Sequence, residues 1–406
     1  MRVQRSDAEL QVRAAADAER SEAVFRAAIA RLVERMAREC DSGADGFIPT
    51  VDFLALSGGG DYGAFGAGLL IGWSEAPSGW ARPDFDAVTG VSTGALLAPF
   101  AYIGTDASCN HVERFYRSPK DDWIQDRGLL FFLPSNPSFM TIPGLERDIR
   151  STVDRAFVER LAEESAKGKI LAISATDLDL GRQRFWDVGR EAEAAVSNGD
   201  VARVQDILLA SAAIPAVFPA IELDDALYAD GGVTANVFLR LDVRSPDALL
   251  PQWKAAHPGK PLPKIRYWVV INNQIHQPPK TVQSTWPSVV APSLSTAIRS
   301  ATIAEVRWLA AQADYVNATW GTDIEVRVVS IPDHWRPPVE GDFRKETMES
   351  LAELGRAMGA DASSWQLWTM PRQAGASEVG SGRRPEHRVV TQTVQLNRVS
   401  FKEFVQ

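Results

Sequence analysis

The sequence predicts an α/β fold organised on a parallel sheet, and two observations carry that expectation. From residue 51 to about 104 the pattern is strand, glycine turn, helix, strand, tight turn, helix, which is two βα units in succession. Further on, KILAISAT (169–176), YWVVIN (267–272) and IEVRVVSI (324–331) are apolar runs with the length and β-branched content of buried strands. With 406 residues, 45% hydrophobic and 23% charged, the chain has the size and composition of an ordinary globular protein with a large core. Its net charge of -9 argues against a general nucleic-acid binder, which is normally basic. Two cysteines, Cys40 and Cys109, are too few for a disulfide scaffold or a thiolate metal site, and both read as small hydrophobes.

Taken in order, Ser6 to about Arg38 reads as one long helix. Ser6 and Glu9 have capping-box spacing, and Phe25, Ile29, Leu32, Val33 and Met36 form an apolar stripe that would dock on the core. The alternative for this helix is an oligomerisation or membrane-surface role. CDSGADG (40–46) marks a boundary. VDFLAL is the first strand, AFGAGLLIGW the helix after it, Asp86 to Val91 the second strand and Thr93 to Ile103 the helix that follows. Gln183 to Val188 is expected beside the 169–176 strand. Val201 to Ala213 reads as a helix stopped by Pro215, and Leu294 to Ala318 as a long amphipathic helix. GLLFFLPSNPSFMTIPG (128–144) is apolar but broken by three prolines, a loop that either covers the core or faces lipid as a lid. RQAGASEVGSGRRPE (372–386) reads as a polar loop and VVTQTVQLNRVSF (389–401) as a terminal strand. No apolar stretch reaches the ~20 residues of a membrane span. The N-terminus lacks a signal-peptide core, so a cytoplasmic or peripheral-membrane location is the expectation.

Three short motifs carry chemistry. GVSTG, Gly90 to Gly94, sits between a strand and a helix, the setting in which a strained turn projects a nucleophile, here Ser92. The flanking Gly90 and Gly94 remove side chains that would crowd such a turn, and the helix that follows points its N-terminus at the serine oxygen. A serine needs a base. His111, His257, His276, His334 and His387 all lie in polar or proline-rich stretches that read as loop. In LYADGGV, Asp230 tops an apolar run and is followed by Gly231 and Gly232; a carboxylate there can accept directly from a serine hydroxyl, and burial would make it a better base. Asp177 and Asp179 in TDLDLG are rival acids.

The remaining motif, LSGGGDYG, reads two ways. Gly58, Gly60 and Gly63 have dinucleotide-fingerprint spacing, with Asp84 about 20 residues on. The acid should end the second strand, however, and Asp84 precedes it. The other reading is an oxyanion hole, in which backbone N–H groups of Gly58, Gly59 and Gly60 face an ester under attack by Ser92.

GGGDYG (58–63), GVSTG (90–94) and DGG (230–232), in this order, with GAFGAGLL, VTGVSTGALLAPFA and SAAIPAVFP around them, resemble the patatin-like phospholipase family. The resemblance spans about 50 to 335. It implies a three-layer α/β/α sandwich with a mostly parallel central sheet and a Ser–Asp dyad without histidine. By position Ser92 is then the nucleophile, Asp230 the base and Gly58 to Gly60 the oxyanion hole, with Gly63, Gly90, Gly94, Gly231 and Gly232 as motif glycines. It implies a lipid acyl-ester substrate, peripheral membrane contact, and no metal, cofactor or nucleic acid. Many members carry Arg or Lys where this chain has Tyr62. The backbone donors survive that change but a cation near a head group does not, which gives weight to neutral ester or thioester substrates. The expected organisation is an N-terminal helical extension (1–45), a catalytic domain (46–340) and a C-terminal extension (341–406). The alternatives are a catalytically silent membrane-associated module of the same fold, or a dinucleotide-binding α/β domain.

Overall fold

The computed structural model describes residues 4–43, 47–126, 138, 140–215, 217–239, 241 and 243–369. The first half of the chain forms α1 (Asp7–Ser42), β1 (Thr50–Leu56), α2 (Gly63–Ser74), β2 (Ala87–Val91), α3 (Thr93–Ile103), α4 (Asp106–Arg117), β3 (Gln125–Asp126), β4 (Met140–Thr141), α5 (Pro143–Thr152) and α6 (Arg155–Ala166). There follow β5 (Ile170–Asp177), β6 (Arg182–Asp187), α7 (Val188–Asn198), α8 (Val201–Ser211), β7 (Ile221–Leu223) and β8 (Ala226–Asp230). The last elements are α9 (Leu249–Ala256), β9 (Lys264–Gln274), α10 (Trp286–Trp320), β10 (Ile324–Ile331), α11 (Lys345–Ala360) and β11 (Gln366–Leu367). The greater part of the 128–144 loop, the 372–386 loop and the terminal strand expected at 389–401 lie outside the described residues.

The central sheet runs β11-β10-β9-β1-β2-β5-β8-β7, with β6 also paired to β5. Its middle five strands, β10, β9, β1, β2 and β5, are parallel, and antiparallel pairs finish both sides. Both faces are buried, which is why these strands read as continuous apolar runs rather than as alternation. Alternate side chains go to opposite layers. Leu54, Leu56, Val88, Leu171, Ile173, Trp268 and Val270 pack with α2, α3, α6, α8 and α11. Val51, Ala55, Ala87, Ile170, Ala172, Tyr267 and Val269 pack with α1, α9 and α10. This is a three-layer α/β/α arrangement.

The stripe of α1 is buried in the second of these cores through Ala28, Ile29, Leu32, Val33 and Met36. Ser6 caps the helix reciprocally with Glu9. On the opposite layer α2 crosses α11 with almost no side chain between them. A Cβ at Gly68 would stand 2.0 Å from the Ala352 carbonyl oxygen, and one at Gly355 would stand 2.0 Å from that of Phe65. The short α4 to α7 helices are not legible in the sequence, because their apolar residues are few and interleaved with charge.

Candidate active site

The C-terminal ends of the parallel strands share one edge of the sheet, and the motifs converge there. β2 pairs with the first part of β5, ending at Val91 opposite Ser174. β8 pairs with the rest of β5, ending with Asp230 opposite Ala175. Ser92 and Asp230 therefore meet at adjacent positions of one template strand. The same meeting is visible at Gly231, where a Cβ would stand 2.5 Å from the Ser174 carbonyl oxygen and 2.9 Å from Val91 Cγ1.

Ser92 has φ 55° and ψ -125°, a backbone region that non-glycine residues avoid and that costs about 1–3 kcal/mol. The strain is held by close packing: a Cβ on Gly94 would stand 2.1 Å from the Leu56 carbonyl oxygen, and one on Gly90 would stand 2.4 Å from that of Gly94. The Ser92 N–H donates to Ser211 Oγ at 3.0 Å, and Ser211 donates in turn to the Ser174 carbonyl at 2.6 Å. Two residues beyond Ser211, the Ala213 carbonyl accepts the Asp230 N–H at 2.7 Å. One short segment thus braces both groups. Although Ser92 stands at the N-cap of α3, its hydroxyl makes no capping bond.

Ser92 and Asp230 are each 5% exposed. Asp230 Oδ1 accepts the Gly232 N–H at 2.7 Å, while Oδ2 has no hydrogen-bond partner among the described residues. Burial raises the Asp230 pKa to about 6, against the opposing pull of the Ser92 hydroxyl and the Gly232 N–H. The serine is thus close enough to act on the carboxylate without completing a hydrogen bond, a looseness common in unliganded pairs.

The glycine turn follows β1. Gly58 lies against the elbow, since a Cβ there would stand 2.9 Å from Ser92 Cβ. Its N–H donates to Asn236 Oδ1 at 3.0 Å, which commits that amide. The Gly59 and Gly60 N–H groups have no acceptor among the described residues, and Gly60, with φ 62°, has open space where a side chain would be. Asn272, at the end of β9, fixes the turn from the side: its N–H donates to Ser57 Oγ at 2.9 Å and its Nδ2 to the Ser57 carbonyl at 2.8 Å. Gly63 is closely confined, since a Cβ there would stand 2.0 Å from Thr93 Oγ1, and Gly232 less so, with Asp230 Oδ1 at 3.0 Å from the same position.

Asn236 was not legible in the sequence. It joins the turn to α10, donating from Nδ2 to Thr302 Oγ1 at 2.9 Å. The next residue, Val237, donates its N–H to Glu305 Oε2 at 3.0 Å. Burial raises the Glu305 carboxyl to about 7 although the Val237 and Asn236 amides favour its charge.

The rival acids go elsewhere. Asp177 is fully buried and pairs with Arg13 of α1 while accepting the Asp179 and Leu180 N–H groups. Asp179 also pairs with Arg13, at 3.4 Å. Asp84 precedes β2 and binds Lys169 at 2.7 Å, at the end of the sheet away from the glycine turn. His276 is exposed and bonded to Asp333 at 2.7 Å, His111 stacks on Phe100 and His257 packs on Trp253; His387 lies outside the described residues. Among the described residues no group of three or more His, Cys, Asp or Glu could hold a metal ion. No described helix is long and apolar enough to cross a membrane.

Comparison with known proteins gives the following. Over 199 residues the chain is 27% identical to a cGAMP-activated phospholipase of Pseudomonas aeruginosa (strain BWHPSA011 / Pa011), covering 47% of this chain and 54% of that protein. The chain thus spans about half the length of that curated relative. The crystal structure of VipD from Legionella pneumophila aligns at 12% identity with a TM-score of 0.34, over 79% of this chain and 68% of that one. Residues 54–242 match the Patatin-like phospholipase family. That matching segment takes in the end of β1, the glycine turn, the elbow and the strand bearing Asp230.

Proposed function

We propose that the chain is a lipid acyl hydrolase that works through a Ser92–Asp230 dyad. The observation that carries this reading is the split pairing of β5, which seats a strained serine whose hydroxyl makes no cap next to a buried carboxylate with one unbonded oxygen. A pKa near 6 leaves Asp230 ionised at neutral pH yet far more basic than an exposed aspartate. Asp230 takes the proton as Ser92 Oγ attacks the ester carbonyl, and the oxyanion forms at the Gly59 and Gly60 amides. Gly58, with its N–H committed to Asn236, shapes the turn rather than donating to the oxyanion. The proton passes from Asp230 to the departing alcohol, leaving an acyl-enzyme. Asp230 then deprotonates a water that attacks the acyl carbonyl, and Ser92 is released with a free fatty acid. No metal or cofactor takes part in these steps.

The family of residues 54–242 and the phospholipase relative support a lipid ester as the substrate. A fluorophosphonate probe tests the nucleophile. Wild-type protein is expected to label and to cleave short-chain esters, and Ser92→Ala to do neither while keeping its melting temperature within a few degrees. Labelling of Ser92→Ala at the wild-type rate would sink the reading.

A further inference from the structure

Arg299 of α10 is a cation fastened next to the glycine turn that takes no part in the proposed acyl transfer. The chain runs outward from β1 through β2 to β5, then returns to lay β9 and β10 on the other side of β1. The carboxyl ends of β1 and β9 are thus a topological switch point, where open α/β sheets bind ligands. The Asn272 carbonyl at the end of β9 packs directly on Gly59, since a Cβ there would stand 2.1 Å from it. Asn273 follows about 3.3 Å further along the strand, and there Arg299 of α10 is fastened.

Arg299 Nε donates to the Gln274 carbonyl at 3.1 Å, Nη1 to Gln277 Oε1 at 2.6 Å and Nη2 to Asn273 Oδ1 at 3.2 Å. All three acceptors are neutral, and among the described residues no carboxylate forms an ion pair with it. A guanidinium has five N–H donors. The three bonds leave one N–H on each of Nη1 and Nη2 to donate to the oxygens of a phosphate or carboxylate. The other charged and titratable groups near it are Tyr62 and Asp333, and Asp333 is held by the His276 N–H and ring nitrogen. Partial burial draws the Arg299 pKa down, with Tyr62 and Asp333 pulling it up. Partial desolvation of a cation that lacks a directly bonded carboxylate is costly, and an anionic ligand on its free N–H groups would offset that cost.

We propose that Arg299 is the cation of an anion-binding subsite beside the glycine turn, and that it takes the phosphodiester of a glycerophospholipid whose ester carbonyl lies at Ser92. This rests on the acyl-hydrolase reading, and it extends the site to α10, beyond the segment that matches the family. Tyr62 of the turn, half-buried on the edge of Trp335, is the titratable group of the turn that acts on this cation.

The test compares wild type with Arg299→Gln and Arg299→Lys on two monomeric substrates. These are dihexanoyl phosphatidylglycerol below its micellar concentration and dihexanoylglycerol, which carries the same acyl chains without phosphate. Loss of a charge-assisted pair predicts a fall of about 10- to 100-fold in kcat/KM on the phospholipid for Arg299→Gln, partial recovery in Arg299→Lys, and less than a twofold change on dihexanoylglycerol. Inorganic phosphate, as an inhibitor of dihexanoylglycerol cleavage, separates the two sources of the anion. If Arg299→Gln relieves that inhibition but leaves phospholipid cleavage intact, the subsite serves a free phosphate. Equal losses on both substrates, or no change in either assay, overturn the subsite. If wild type cleaves neither ester, the hydrolase reading fails separately. Calorimetric binding of dihexanoyl phosphatidylglycerol to Ser92→Ala and to Ser92→Ala/Arg299→Gln then still decides: tighter binding to the former upholds the subsite, and equal binding removes it.

Discussion

Replacing Asp230 by asparagine keeps the shape of the side chain, preserves an acceptor for the Gly232 N–H and removes the charge. The carboxyl rises from 3.8 to about 6 because burial disfavours its ionised form. At 1.36 kcal/mol per unit, holding that charge costs the folded protein about 3 kcal/mol at pH 8. The unfolded chain ionises near pH 4 and the folded one near pH 6. The cost is therefore absent below about pH 4, grows between pH 4 and 6, and is complete above. Asp230→Asn should be up to about 3 kcal/mol more stable than wild type at pH 8 and equal to it at pH 4, while ester hydrolysis is lost. Urea unfolding of both proteins at pH 4, 6 and 8 reads the difference. Asp61, Asp86 and Glu305, whose carboxyls are also raised by burial, contribute to both proteins and cancel in it. A stability difference that ignores pH, or a variant that still turns over esters at the wild-type rate, would refute the reasoning.

The same carboxyl sets the acid limb of the wild-type rate profile, so kcat/KM should fall below an apparent pKa near 6. Ser92→Ala removes the hydroxyl that lowers the Asp230 pKa, and the carboxyl resonance of Asp230 followed by NMR should then titrate at higher pH than in wild type. Ser92→Gly releases the positive-φ strain at the elbow and should raise stability by about 1 kcal/mol, measurable as a raised melting temperature in a protein with no esterase activity. Asn236→Ala frees the Gly58 N–H and loosens the turn from α10; kcat is expected to fall at least tenfold with little change in KM. Gly68→Ala drives a methyl into the Ala352 carbonyl. It should destabilise the fold by about 1–3 kcal/mol, seen as a lowered urea midpoint.

Local pattern determined much of this protein. The capping box and stripe of α1, the apolar runs of β5, β9 and β10, and the strand–turn–helix settings of GVSTG and LSGGGDYG are all properties of neighbouring residues, and periodicity and glycine placement report those directly. What periodicity cannot report is which strand lies beside which, or how far each pairing runs. That Asp230, rather than Asp177 or Asp179, stands by Ser92 follows from β8 taking over the edge of β5 where β2 stops, and from α1 bringing Arg13 to the rivals. The commitment of Gly58 to Asn236, the Ser211 brace, the seat of Arg299 and the bare crossing of α2 on α11 likewise depend on long-range packing. An asparagine, serine, arginine or glycine at those positions looks unexceptional in the chain, because its role is created only by the distant backbone that folds against it.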